Sequence, residues 1–227
     1  MVITGNRFDS AAFLAHAREL AKEEPLSRQS RLLAIWSATI ATGDSTLQEQ
    51  VLSLVVSTGI KSDALYEVVL QSYLFLGFPR MLTAVETWSN KFGKPTTVSN
   101  LAPVSGDESS RWFAEGISLC RRVYGETFEP LKDRVESMSP EIFRWMIVEG
   151  YGKVLSRPGL AVVDRELCIV SSLMVENREQ QLYSHIRGAL NVGASMTLVT
   201  AVIADIGCGT PDGAATASEL IARLRKN

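Results

Sequence analysis

The sequence predicts an all-α protein, and three features of the chain lead to that class. Apolar residues recur at helical spacing in every segment where the pattern assigns an element. Glycine or proline bounds most of these segments, as expected at the ends of helices. The order of helices and turns in the N-terminal part recurs in the C-terminal part, which indicates a duplicated helical unit.

The N-terminal part begins with a helix that Asp9 or Ser10 can cap, because either side chain can accept from a first-turn amide. Turn residues then separate the apolar stretches, at Gly43, at Gly59 and at Gly77-Phe78-Pro79. We therefore predict four further helices in this part, over residues 31–42, 47–56, 63–75 and 80–88.

Residues 157–205 form the core of the C-terminal part and contain three consecutive predicted helices. The first is apolar on nearly every face over residues 167–175, as a buried helix is. The second places His185 and Arg187 among apolar residues and ends at Gly193. The third follows directly and has one apolar face. The other predicted helices lie at residues 112–125, at residues 139–151 and at the C-terminal end.

The two helical units align without a gap when the chain is shifted by 134 residues, which brings Arg31 onto Arg165. The copies differ in their polar residues. Glu166 and His185 occur in the C-terminal copy, and the N-terminal copy has leucine and valine at those positions. We therefore predict a degenerate N-terminal repeat over residues 1–90, a linker over residues 91–108 and a C-terminal repeat over residues 109–227.

The composition excludes several classes of function. The net charge of −2 offers no electrostatic basis for binding nucleic acid or an anionic membrane. No apolar run reaches the roughly 18 residues that a membrane span needs, and the N-terminus lacks the pattern of a signal peptide. We therefore expect a cytoplasmic protein. The three cysteines form no CxxC pair and the two histidines cannot make a usual zinc site, so we expect neither a disulfide framework nor a metal.

Two strings in the core carry a resemblance to a known family. HIRGALNVG (residues 185–193) and GYGKVLSRPGL (residues 150–160) resemble the carboxymuconolactone decarboxylase family of the AhpD-like superfamily. The resemblance is strong over about residues 140–205. It implies an all-helical AhpD-like fold, a ring-shaped homo-oligomer such as a trimer or hexamer, and a decarboxylase that needs no cofactor.

The peroxidase-like branch of the same superfamily has a glutamate, a CxxC pair and a histidine in this frame. Here the two cysteine positions hold Arg178 and Gln181. Thiol peroxide chemistry needs a thiolate, which neither residue can supply. The departure favours the decarboxylase branch, or a branch with no assigned activity.

His185 and Glu166 are the predicted catalytic residues. If the two helices pack antiparallel and bring them together, the pair can pass a proton. Gln181, His185 and Gly188 share one stripe of their helix, and Gly188 would leave a notch for a ligand beside the imidazole. The alternatives remain open: His185 can be a core histidine bonded to a backbone carbonyl, and Glu166 a carboxylate that satisfies first-turn amides.

Arginines are the predicted partners of a substrate carboxylate, because a guanidinium can bind it through two hydrogen bonds. Arg157, on the turn before the core, is the freest candidate, and Arg178 is another. Arg187 points away from His185 on its helix. A structural ion pair is an equally good interpretation of any one arginine.

Two hypotheses of different classes follow. The first is a cofactor-free decarboxylase of a small carboxylated lactone such as 4-carboxymuconolactone, in the degradation of aromatic compounds. The second is a helical oligomer of the same fold that binds a small molecule without turning it over. A pocket with an apolar wall and a polar floor around His185 would distinguish a site from a packed core.

Overall fold

The computed structural model describes residues 8–94 and 104–225, apart from the side chains of residues 25–27. Every regular element in these ranges is a helix, which confirms the predicted all-α class. The helices are α1 (Ser10–Leu20), α2 (Pro25–Thr42), α3 (Ser45–Ser57), α4 (Ser62–Phe92), α5 (Gly106–Tyr124), α6 (Phe128–Met138), α7 (Pro140–Trp145), α8 (Val162–Val175), α9 (Glu179–Asn191), α10 (Met196–Gly207) and α11 (Pro211–Leu224). A 3₁₀ turn (Gly125–Thr127) precedes α6, and a π-helical segment (Met146–Leu155) continues α7.

Local sequence signals determine where the predicted helices begin and end. Asp9 caps α1 by accepting from the Ala12 amide at 2.9 Å. Gly43 ends α2 in the left-handed conformation, at φ 71°. Gly77 interrupts α4 at φ 76°, which is the predicted break before Pro79.

Several bounds differ from the prediction. α2 begins at Pro25, which suits the first position of a helix, and not at residue 31. α5 begins at Gly106 because Ser105 and Glu108 form a capping box. Helix therefore occupies both ends of the predicted linker, and residues 95–103 lie outside the described residues. α6 was not predicted, since its few apolar residues are separated by charged ones.

The helix bounds agree with the predicted repeat. Under the shift of 134 residues, both ends of α3 coincide with those of α9, and the first residue of α4 coincides with that of α10. The turn after α8 contains Asn177 at φ 50°, where the first copy has Gly43 at φ 71°. Asparagine tolerates this conformation better than most residues, so the turn is retained without glycine.

The two copies pack on each other through α2 and α8 and share one apolar core. Arg31 of α2 donates to Asp205 of α10 through Nε and Nη2, each at 2.7 Å. Arg165, its counterpart in α8, donates from Nη1 to Gln71 of α4 at 3.2 Å. Position 71 becomes position 205 under the same shift. The first helix of each copy therefore binds the third helix of the other, as in a pair related by a pseudo-twofold axis.

α4 is the one described helix whose length and composition would allow it to cross a membrane. Two polar residues interrupt its apolar stretch and bond within the chain. Glu67 accepts from Arg165 at 2.9 Å, and Gln71 donates to the Arg165 carbonyl at 3.2 Å. These contacts hold α4 against α8 in the helical core.

The π-helical segment lies unusually close to α5, because two glycines permit it. A Cβ added at Gly116 would lie 2.1 Å from the Ile147 carbonyl oxygen, and one at Gly152 would lie 2.0 Å from that of Trp112. Such distances exclude any side chain. The close packing places Tyr151 of the segment beside Tyr124 of α5, on the side of the fold where α8 and α9 meet.

Candidate functional site

The structure brings together the two residues that the sequence predicts as catalytic. The imidazole Nδ1 of His185 lies 2.8 Å from Glu166 Oε2. Only 5% of His185 and 1% of Glu166 is exposed. α8 and α9 run antiparallel across a short turn, and this brings the middle of α9 beside the second turn of α8. The predicted contact is present, and the partner of Nδ1 is a carboxylate and not a backbone carbonyl.

The hydrogen bond to Glu166 fixes the role of each imidazole nitrogen. With Nδ1 as the donor to the carboxylate, Nε2 is the nitrogen available to a molecule beside His185. Phe75 stands edge-on to the imidazole, with the ring centres 5.2 Å apart. A buried carboxylate on one side and an aromatic ring on another hold the imidazole in one orientation, which is what proton transfer to a bound molecule requires.

Gly188 has a different role from the one predicted. The notch beside it is already filled, because an added Cβ would lie 2.6 Å from Glu166 Oε2 and 2.8 Å from Val123 Cγ1. Gly188 therefore makes room for the Glu166 carboxylate and not for a ligand. Its conformation is helical, so the requirement for glycine is one of space alone.

A cavity of about 440 Å³ opens beside His185 and has both apolar and polar lining residues, the feature that would distinguish a site from a packed core. Its volume falls in the range of about 300–1,000 Å³ usual for small-molecule sites. The apolar wall comes from Leu74, Phe75, Ile142, Trp145, Met146 and Leu155. The polar groups are those of Tyr124, Glu149, Tyr151, Gln181 and His185. Gln181 thus lies where the helical stripe placed it.

Two tyrosines in this cavity were not predicted as site residues. Tyr124 and Tyr151 lie edge to face, with ring centres 6.2 Å apart. Burial raises the pKa of Tyr124 to about 12, against the opposing effect of a hydrogen bond with the Tyr151 hydroxyl. Burial, reinforced by nearby groups that include Glu166, also raises the pKa of Tyr151 well above its usual value. Both phenols therefore stay protonated at neutral pH and can donate hydrogen bonds.

Glu149 contributes a carboxylate to the cavity, but its charge is offset. It accepts from the Tyr73 hydroxyl and from Lys153 Nζ, the latter at 3.0 Å. Burial and the neighbouring Glu149 carboxylate raise the pKa of Tyr73, so this phenol also remains a donor.

The cysteines do not supply a thiolate to the site. Cys120 lies near Glu166, and burial, reinforced by the Glu166 charge, raises its pKa to about 12. Burial also raises the pKa of Cys168 well above its usual value, and all three cysteines are free thiols. The pKa of Cys208 is raised as well, so none of the three resembles an activated nucleophile.

Arg157 is not free to bind a substrate, contrary to the prediction. Its Nε and Nη2 donate three hydrogen bonds to the Glu67 carboxylate at 3.0–3.1 Å. The same carboxylate accepts from the fully buried Arg165 at 2.9 Å. The ion-pair interpretation is therefore the right one for Arg157. Local sequence could not indicate this pair, because Glu67 lies 90 residues away.

Arg178 lies outside the cavity. It is 65% exposed and faces Glu176, with Nη2 and Oε2 3.7 Å apart. Of the described residues, those that line the cavity beside His185 include no arginine or lysine. A ligand carboxylate in this cavity would meet phenols, the Gln181 amide, the imidazole and the Glu149 carboxylate, which is paired with Lys153.

The first copy of the unit has no comparable site. Its residues at the positions of Glu166 and His185 are Leu32 and Val51, and both are completely buried. They pack as part of the shared apolar core. The N-terminal copy therefore supports the site through α4, which contributes Leu74 and Phe75 to the cavity.

Comparison with known proteins gives one distant relative and no family. No family model matches the chain. The chain is similar to Peroxisomal protein 2 of Schizosaccharomyces pombe, with 28% identity over 139 residues. The match covers 58% of this chain and 61% of the relative, so the chain spans less than two thirds of that protein's length. The relative's name gives a location for that protein and no reaction.

Proposed function

We propose that this protein is a cofactor-free decarboxylase of a small carboxylated lactone, of the type found in the carboxymuconolactone decarboxylase family. The observation that carries the proposal is the His185–Glu166 pair at 2.8 Å beside a cavity of about 440 Å³. An oriented acid–base pair facing a largely apolar cavity suits proton transfer to a carbon atom. The resemblance of residues 185–193 to the family motif supports the same reaction.

The apolar wall of the cavity favours loss of carbon dioxide. A carboxylate that leaves water for an apolar site loses its hydration, and its charge spreads into the neighbouring unsaturated ester as the carbon–carbon bond breaks. The leaving carboxylate therefore needs no arginine partner. This explains how a decarboxylase site can lack the cation that the sequence analysis expected.

The residues in the cavity have distinct roles in such a reaction. The bond to the carboxylate breaks, carbon dioxide leaves, and the electron pair moves into the unsaturated lactone. Neutral Tyr124, whose hydroxyl is hydrogen-bonded to that of Tyr151, can donate to the lactone carbonyl oxygen, where negative charge develops. The acid form of His185 carries a proton on each ring nitrogen; it delivers the Nε2 proton to the carbon, while Glu166 holds the Nδ1 proton and the ring orientation. The ring is left neutral, and a proton from solvent restores Nε2–H.

Binding without turnover is the second candidate function. The absence of a cation among the described residues of the cavity favours it, because a carboxylated ligand is then held by neutral donors alone. The cavity would in that case suit a neutral, mostly apolar molecule of similar size.

Assembly and location belong to the proposal as well. Trp145 and Ile142, which line the cavity, are 64% and 55% exposed, and Phe78 is 61% exposed. Large apolar side chains in such positions are typical of a contact surface. We propose a homo-oligomer, a trimer or hexamer as in the family.

For location we propose the cytoplasm, with the peroxisome of the relative's name as the alternative.

Turnover of 4-carboxymuconolactone by the purified protein tests the proposed reaction. We expect release of one carbon dioxide per lactone consumed, with no added metal or cofactor, at least about 10⁴-fold faster than the reaction without protein. Dialysis against a chelator should leave the rate unchanged. Saturable binding of the lactone without carbon dioxide release would favour the second candidate and contradict the first.

A further inference from the structure

A second cavity lies on the other side of Tyr124 from the His185 cavity. It has a volume of about 290 Å³ and is formed by α5, α6 and α9. Tyr124 lines both cavities. The residues around the second cavity include Arg134 and Arg187, and none of them is acidic.

The two arginines of this second cavity have no carboxylate partner. Within residues 8–94 and 104–225, no aspartate or glutamate lies within ion-pairing distance of Arg134 or Arg187, whereas Arg31, Arg157 and Arg165 each have one. Both guanidiniums line the same cavity, and an anion bound there would supply the negative charge that no described carboxylate gives them.

Arg187 is held in place although no acid binds it. It is half-buried, and its guanidinium lies over the Tyr183 ring, 5.9 Å from the ring centre. Arg223 lies over the same ring at 5.3 Å and is paired with Glu179. A guanidinium fixed against an aromatic ring keeps its donors available and loses less freedom when it binds a ligand.

Three of the other polar side chains of the cavity are already bonded. Thr127 donates to the Tyr124 carbonyl at 2.7 Å, Asn191 to the Val123 carbonyl at 2.8 Å, and Ser184 to the Gln180 carbonyl at 3.3 Å. The two guanidiniums, beside the hydroxyls of Tyr124 and Tyr183, are the donors left for a ligand. The positive charge of Arg134 also reaches the Tyr124 hydroxyl, where it lowers the pKa against the larger effect of burial.

We propose that this cavity binds a compact anion, a carboxylate or phosphate group of a small molecule, between Arg134 and Arg187. The site is separate from the proposed catalytic cavity. Its occupant would neutralise two like charges at the wall that Tyr124 shares with the His185 cavity. The proposal does not depend on decarboxylation, since it concerns binding alone.

Calorimetric titration of the wild-type protein with inorganic phosphate and, separately, with citrate tests the proposal. We expect saturable binding of at least one of them below about 10 mM. Binding of phosphate alone would assign the site to a phosphate group, and binding of citrate alone to a carboxylate. The double variant Arg134→Gln/Arg187→Gln should bind at least about tenfold more weakly. Arg122→Gln is the matched control, because Arg122 is exposed on α5 and does not line the cavity.

The fold is monitored separately, since Arg187 also packs on Tyr183. The single variant Arg134→Gln removes only an exposed side chain and should retain the wild-type melting temperature while binding more weakly. Wild-type affinity in a folded double variant would overturn the proposal, and so would the absence of saturable binding to the wild-type protein at about 10 mM of either anion. Because the readout is heat of binding, an inactive protein can still pass this test.

Discussion

Replacement of His185 by alanine should lower the rate of decarboxylation by about 100- to 10,000-fold while the protein stays folded. The reason is that, of the described residues lining the cavity, His185 is the histidine, and its ring is oriented by a bond to a buried carboxylate. Its Nδ1 lies 2.8 Å from Glu166, which leaves Nε2 for a ligand. Rate and melting temperature should be measured on the same preparation, so that loss of the proton donor is separated from loss of structure.

The chain contains a matched control for this variant, because its other histidine makes a similar contact. His16 Nε2 lies 2.7 Å from Oδ1 of the buried Asp205. It lines neither the cavity beside His185 nor the second cavity. His16→Ala should therefore lower stability and leave turnover per folded molecule unchanged. A His185→Ala protein that keeps a rate within threefold of the wild type would contradict the catalytic role.

Replacement of Glu67 by alanine should lower the free energy of unfolding by about 3–5 kcal/mol. Glu67 is the carboxylate that both Arg157 and Arg165 bind, and Arg165 is only 1% exposed. Burial lowers the pKa of the Arg165 guanidinium, and the Glu67 carboxylate opposes this shift. The Nε of Arg165 has no hydrogen-bond partner among the described residues. Without the Glu67 carboxylate, the buried Arg165 guanidinium would keep only the Gln71 side-chain oxygen and the Arg157 carbonyl oxygen as acceptors.

Urea denaturation measures this loss, and Glu129→Ala serves as its control. Glu129 also pairs with an arginine, Arg121, at 3.0 Å, but both side chains are 60% exposed. An exposed ion pair of that kind contributes at most about 1 kcal/mol to the free energy of unfolding. Equal losses in the two variants would show that the Glu67 network does not stabilise the contact between α4 and α8 in the way argued above.

The parts of the fold that the sequence predicts well are those set by local signals. Gly43, Gly59 and Gly193 mark turns that need a positive φ, and apolar spacing defines the helices between them. The contact between His185 and Glu166 could also be predicted, because a short turn forces α8 and α9 to pack side by side. The repeat gave independent support to the same helix order.

Features that depend on distant residues were missed or misjudged. Arg157 looked free because its partner Glu67 belongs to the other copy of the unit. The role of Gly188 required knowing that Glu166 fills the adjacent space. The contact of His16 was not predicted, because its partner Asp205 lies 189 residues away. Local sequence cannot encode such contacts, which arise only when the two copies pack together.

Tyr124 and Tyr151 were missed for a related reason. Both occur in helical stretches whose apolar spacing accounts for them as core residues. Their position at the site follows from the close approach of α5 and the π-helical segment, which depends on Gly116 and Gly152. A pair of small residues on two neighbouring helices was the signal that could have indicated this packing.

The central claim, that His185 presents Nε2 to a ligand while Glu166 holds Nδ1, can be tested directly by nitrogen magnetic resonance. The chain has two histidines, so a protein labelled with ¹⁵N-histidine gives two sets of ring signals, and His16→Gln assigns them. We predict that the Nδ1 of His185 carries a proton whether or not Nε2 is protonated, and that 4-carboxymuconolactone shifts the Nε2 signal while the His16 signals stay unchanged. A His185 ring protonated on Nε2 alone, or an Nε2 signal that saturating lactone leaves unmoved, would contradict the account.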